Sequence, residues 1–163
     1  MRPGRAAWLA AACLAPAWAW AQAPHAHGVA KLDVALEARR LAMDFVAPLE
    51  DILGFERRPA NEKEGAVFEA ASAYFKSGRA LVASPAANCR VAESAVNIEE
   101  RGKGHFEWVA RLTYDCKEPQ ELREVDAALL EQYKKLKRID VRVVAAKGQS
   151  STRLGSGKRT FGL

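Results

Sequence analysis

His105-Phe106-Glu107-Trp108-Val109-Ala110-Arg111-Leu112-Thr113-Tyr114-Asp115-Cys116 is the stretch that decides the fold class. Phe106, Trp108, Ala110, Leu112 and Tyr114 alternate with polar positions that include Glu107, Arg111 and Asp115. A period of two over this length is a β-strand with one buried face, and it places Trp108 and Tyr114 in a core. On the N-terminal side, Glu99 to Gly104 reads as a charged, glycine-containing turn and Asn88 to Ile98 as another strand. The two strands form an antiparallel pair around that turn.

Two-residue alternation recurs at the start of the chain. Leu32, Val34 and Leu36 share one face of Gly28 to Glu37, opposite Lys31 and Asp33. Ala38-Arg39-Arg40 is a turn, and Leu41, Met43 and Phe45 alternate again until Pro48, so the two runs form a hairpin. Pro48 to Pro59 reads as irregular. Asn61 to Lys76 changes to the helical period, with Val67, Ala70, Ala71, Tyr74 and Phe75 as the apolar stripe. Asn61, with Glu64 three residues on, is the N-cap pair of that helix, and Gly78 ends it.

The C-terminal third is less uniform. Leu122, Val125, Leu129 and Tyr133 fit a helix within Glu118 to Lys137, while Val125 to Leu130 also fits a short strand before a helical turn. Arg138 to Val144 is a strand. Ser151 to Leu154 and Arg159 to Leu163 are two short strands joined by Gly155-Ser156-Gly157. The sum is an α+β fold: a mainly antiparallel β-sheet with one or two helices packed on one face.

A separate signal stands at the N-terminus. Met1 to Arg5 carries two arginines, Ala6 to Ala15 is apolar, and Ala19-Trp20-Ala21 puts small residues where a signal peptidase reads. The expected cut follows Ala21, leaving residues 22–163 as a single exported domain. Two rivals fit less well. An anchor helix needs ~20 apolar residues, more than Ala6 to Ala21 supplies around Pro16. A lipoprotein anchored at Cys13 would need Leu9 one position later.

With 163 residues there is enough chain for one domain with a real core, and too little for two ordinary ones. The net charge of +5 falls to +3 once Arg2 and Arg5 leave with the signal, and the remaining charges are scattered. That excludes the basic stripe of a nucleic-acid binder. Export also bears on the thiols. Cys89 and Cys116 are the two mature cysteines, each at one end of an antiparallel neighbour, and an oxidising compartment makes them one disulfide. Their spacing is not the C-x-x-C of a redox pair.

Catalytic motifs are missing from the sequence. It has no G-x-S-x-G and no H-E-x-x-H, and Gly102-Lys103-Gly104 lacks the context of a phosphate loop. Glu99-Glu100 reads as a solvated turn. Metal character is confined to the three histidines, His25, His27 and His105. His25 and His27, two apart, point to the same side of an extended chain, where two imidazoles chelate one Zn²⁺ or Cu²⁺. Two ligands bind weakly; His105, which opens another strand, is the third if the sheet brings it near. The alternative is that His25 and His27 belong to a polar leader.

His25-Ala26-His27-Gly28-Val29-Ala30-Lys31-Leu32-Asp33-Val34-Ala35-Leu36-Glu37 resembles the opening of the ZrgA-like periplasmic proteins. The resemblance continues at Leu53-Gly54-Phe55-Glu56 and the proline soon after, the helix Glu62 to Phe75, the two cysteines, and Arg138-Ile139-Asp140-Val141 leading to Gly148-Gln149. It implies a periplasmic, non-enzymatic protein that helps supply zinc beside the binding protein of a zinc ABC transporter, with His25 and His27 carried over from the family's pattern. Relatives often carry a His/Asp/Glu-rich segment in mid-chain. Here Ile98 to His105 is only Ile-Glu-Glu-Arg-Gly-Lys-Gly-His, too short to hold several ions, so the expected zinc binding is weak. A metal-independent protein-interaction module is the rival function.

Overall fold

The computed structural model describes residues 27–102 and 104–163. The signal segment, Cys13 and His25 lie outside the described residues.

Strands β1 (Val29–Glu37) and β2 (Arg40–Pro48) form the expected hairpin, turning at Ala38-Arg39. Strands β4 (Cys89–Glu100) and β5 (Phe106–Cys116) form the second, with a register shift between Val91 and Glu93. Strands β7 (Arg138–Ala145) and β8 (Gly148–Leu154) form the third. They combine into one six-stranded sheet of order β4-β5-β2-β1-β7-β8. Every pairing is antiparallel except β1 with β7. A second sheet of three short strands, β3 (Val82–Ala83), β6 (Glu124–Asp126) and β9 (Thr160–Gly162), has the order β3-β6-β9. The last two strands foreseen in the sequence therefore divide between the two sheets.

Alternation decides which face is dry. Leu32 and Val34 of β1, Met43 and Phe45 of β2, Trp108 and Leu112 of β5, and Val141 of β7 are buried, while Lys31, Asp33, Asp44, Arg111 and Arg142 of the same strands are exposed. Helix α2 (Glu62–Lys76) packs on the dry face. The ring of Phe75 lies 5.4 Å from Phe45, 5.2 Å from Trp108 and 6.0 Å from Tyr133, centroid to centroid. The stripe is rotated from the one read in the sequence. Phe68, Ala71, Ser72 and Phe75 face the sheet; Val67 and Ala70 face solvent. Two phenylalanines seven residues apart offer more apolar area than the valine and alanine beside them, so they set the rotation.

The helix begins as expected. Asn61 Oδ1 accepts from the Glu64 amide at 2.9 Å, and Glu64 returns a bond to the Ala60 amide at 2.8 Å, one residue before the cap. It ends at Gly78, where φ is +77° and a Cβ would stand 2.9 Å from Val91 Cγ2. Cys89 and Cys116 face each other in register and form a disulfide between β4 and β5.

The ambiguous region resolves as a 3₁₀ turn (Pro119–Glu121), strand β6 and a four-residue helix α3 (Leu129–Gln132). This matches the strand-then-turn alternative. The supposedly irregular Pro48 to Pro59 holds another short helix, α1 (Leu49–Leu53), which starts directly where β2 ends. Among the described residues no helix is long and apolar enough to cross a membrane.

Candidate metal centre

The antiparallel hairpin puts the start of β1 beside the end of β2, because Lys31 pairs with Val46 and the chains run in opposite directions. His27 precedes β1 by two residues. Glu50 lies in α1, which grows out of β2. After α1 the chain reverses at Gly54, a left-handed residue (φ +87°) whose amide donates to the Glu50 carbonyl, and this brings Glu56 back to the same corner.

One donor atom from each of His27, Glu50 and Glu56 lies within 4.8 Å of the other two. Nε2 of His27 is 3.3 Å from Glu56 Oε1, and Nδ1 is 3.8 Å from Glu50 Oε2. Two donors each about 2.0–2.1 Å from a tetrahedral zinc stand roughly 3.4 Å apart; the two carboxylates face different ring nitrogens, so one ion would take a single nitrogen of His27 and draw one carboxylate round to it. Imidazole nitrogen and carboxylate oxygen are both zinc ligands. The donor set therefore fits Zn²⁺. The His27 side chain is 63% exposed and Glu56 is 49% exposed, so water reaches the corner freely.

Backbone contacts hold His27 in place. Gly28 donates its amide to the buried carboxylate of Asp51 at 2.6 Å. Its carbonyl accepts from the amides of Lys137 at 2.8 Å and Arg138 at 2.9 Å. Gly28 sits at φ +77°, with Lys137 Cγ 3.1 Å and the Lys135 carbonyl 3.2 Å from where a Cβ would be, which leaves room only for glycine. The residue carrying the imidazole on its N-terminal side is thus tied to α1 on one flank and to the start of β7 on the other.

Carboxylates and lysines share this corner: Glu50 and Asp51 line one hollow with Lys134, Lys135 and Lys137. Lys135 Nζ donates to Glu50 Oε1 at 2.6 Å, which leaves Oε2 turned to His27. That hydrogen bond and the charge of Lys135 hold the Glu50 carboxyl below its ordinary range, so it is ionised at neutral pH. Burial pushes the Asp51 carboxyl up, opposed by the bond from Gly28.

The site expected from the sequence combined His25, His27 and His105. Of these, His27 stands in the cluster and His25 lies outside the described residues. His105 is at the tip of the β4–β5 hairpin, where its carbonyl accepts from the Arg101 amide at 2.8 Å. It reaches the same end of the sheet, but β2 lies between β5 and β1, which sets those two strands about 10 Å apart. His105 is not among the three donors that converge. Glu50 and Glu56 were missed in the sequence, although Glu56 belongs to the Leu53-Gly54-Phe55-Glu56 segment that stood out there.

No curated protein matches the chain. A family model described as ZrgA family zinc uptake protein matches residues 24–163, which takes in both hairpin strands, the corner that holds His27, Glu50 and Glu56, and the disulfide. The chain belongs to the ZrgA family of zinc uptake proteins.

Proposed function

We propose that this protein is a periplasmic, non-enzymatic accessory of zinc uptake that binds Zn²⁺ weakly through His27, Glu50 and Glu56, with His25 adding a second imidazole. The observation that carries the reading is the convergence of one imidazole and two carboxylates within 4.8 Å, in a chain whose family is one of zinc uptake. Its partner in this reading is the periplasmic binding protein of a zinc ABC transporter. The disulfide between Cys89 and Cys116 supports an oxidising compartment, as does the basic, apolar, small-residue pattern of residues 1–21.

Weak binding follows from the site's make-up. His27, Glu50 and Glu56 stand on an open surface, and Lys135 competes with the metal for Glu50. Such a site takes up zinc and gives it up again, as an accessory rather than a store requires. Because zinc binds neutral imidazole, protons compete with it, and affinity falls as the pH drops below about 6.

Calorimetric titration with Zn²⁺ of the wild type, His27→Ala and Glu56→Gln tests this. The expected result is a loss of at least tenfold in affinity for His27→Ala and a smaller loss for Glu56→Gln. Superimposable titrations, or no heat from the wild type, would remove the metal role. In the rival reading, a metal-independent interaction module, β4 is the surface of interest because it is an outer strand of the six-stranded sheet. Capture of the same partner with and without chelator would favour that module.

A further inference from the structure

Beside the metal corner runs a cleft of about 800 Å³ whose floor is Leu130 and Leu136 and whose rim includes Lys134, Lys137 and Lys158. None of these three ammonium groups is paired with a carboxylate among the described residues. Lys137 Nζ donates to the Lys134 carbonyl at 2.7 Å, and Lys158 Nζ donates to Thr152 Oγ1 at 2.8 Å. The acidic residue of the cleft, Glu131, shares Arg159 with Asp126, which the guanidinium grips with two nitrogens at 2.5 and 3.0 Å, so this trio carries one net negative charge against the three lysines. The groove is thus left with an uncompensated positive charge.

Lys134 and Lys137 also line the hollow that contains His27, Glu50 and Asp51, where Lys135 joins them. Lys134 and Lys137 thus stand between the cleft and the metal corner, and Lys158 lies farther along the cleft with the Gly155-Ser156-Gly157 turn, so the lysines are spread rather than gathered round one point. We propose that this lysine-lined cleft is the docking site for an acidic, carboxylate-rich polypeptide segment of the zinc-carrying partner. An extended chain presents same-side carboxylates about every 6.6–6.8 Å, which suits charges spread along a groove. A small anion would call for donors that converge. The chain's own residues 1–26 contain no Asp or Glu, so they do not supply the occupant. The inference deepens the zinc reading by giving the chemistry of the partner; it rests on that reading for the transfer of metal and not for the docking.

The test is fluorescence anisotropy with a labelled hexaglutamate peptide and the purified protein stripped of metal and dialysed free of chelator, so that zinc plays no part. Saturable binding is expected, weakening steeply with salt. Lys134→Glu/Lys158→Glu should lose at least tenfold in affinity and Lys134→Gln/Lys158→Gln a smaller factor, both with unchanged circular dichroism. Both substituted lysines are exposed, so folding is not at stake. Equal binding of hexaglutamine, or of the charge-reversed variant, would overturn the proposal. So would citrate displacing the peptide at concentrations below the peptide's own dissociation constant, or anionic phosphatidylglycerol vesicles capturing the protein while the peptide does not bind. The same titration on His27→Ala separates the two readings: the peptide should bind as before even if zinc does not.

Discussion

The dry face of the six-stranded sheet and the corner at the start of β1 are built by opposite means. Under α2, Phe45, Phe75 and Trp108 are fully buried, held by alternation and by ring contacts of 5.2–5.4 Å. At the corner, His27, Glu50 and Glu56 come from three short segments around one chain reversal, and solvent reaches them. The face is built for stability; the corner gathers the donor atoms on which the zinc proposal rests. Substitutions should therefore divide cleanly, with losses of fold on one side and losses of binding on the other.

The largest expected effect is on the face. Phe75→Ala removes a ring that touches Phe45, Trp108 and Tyr133 and should cost about 3–5 kcal/mol, read by denaturant unfolding. A cost below about 1 kcal/mol would mean that this face is not the core. Next is the disulfide, which closes a loop with a sequence separation of 27. The Cys89→Ser/Cys116→Ser pair should lose about 3–4 kcal/mol, chiefly through a freer unfolded chain. Smaller, and of opposite sign, is Ser72→Ala. The Ser72 hydroxyl is buried against the sheet with no hydrogen-bond partner among the described residues, so its removal should stabilise by roughly 1 kcal/mol. A destabilised Ser72→Ala would show that the hydroxyl is satisfied after all.

The last difference is confined to acid. Arg57 donates two bonds of 2.6 Å to Glu64, and with the Ala60 amide these lower the Glu64 carboxyl from 4.5 to about 2. A depressed carboxyl contributes fully above its unfolded value and loses that contribution as pH falls through its folded one. The stability gap between wild type and Glu64→Gln should therefore be flat above about pH 5 and shrink between pH 4.5 and 2, measured by thermal melts across that range. A gap that does not change with pH would show that the Arg57 contact is not formed in solution.

The same contrast explains what the sequence made legible. Strand β5 was plain because eleven residues hold one alternation, and the start of α2 because Asn61 and Glu64 form a local pair. The rotation of α2 was not, since alanines fill its flanks and Val67 looked as apolar as Phe68. The second sheet was hidden because strands of two or three residues are too short to show a period. The corner was half visible. Two histidines two residues apart drew the eye to His27. Glu50 and Glu56 met it only through the reversal of the β1–β2 hairpin and the turn at Gly54, a geometry that spacing along the chain does not record. His105, which opens β5, was the third ligand only if the sheet brought it near, and the intervening strand β2 sets β5 apart from β1.

Crystals of the protein soaked in Zn²⁺, with data collected at the zinc edge, decide whether the corner holds the metal. The expected result is an anomalous peak about 2.0–2.2 Å from a nitrogen of His27 and from carboxylate oxygens of Glu50 and Glu56. A soaked crystal with no peak at that corner, or with its strongest peak at His105, would contradict it.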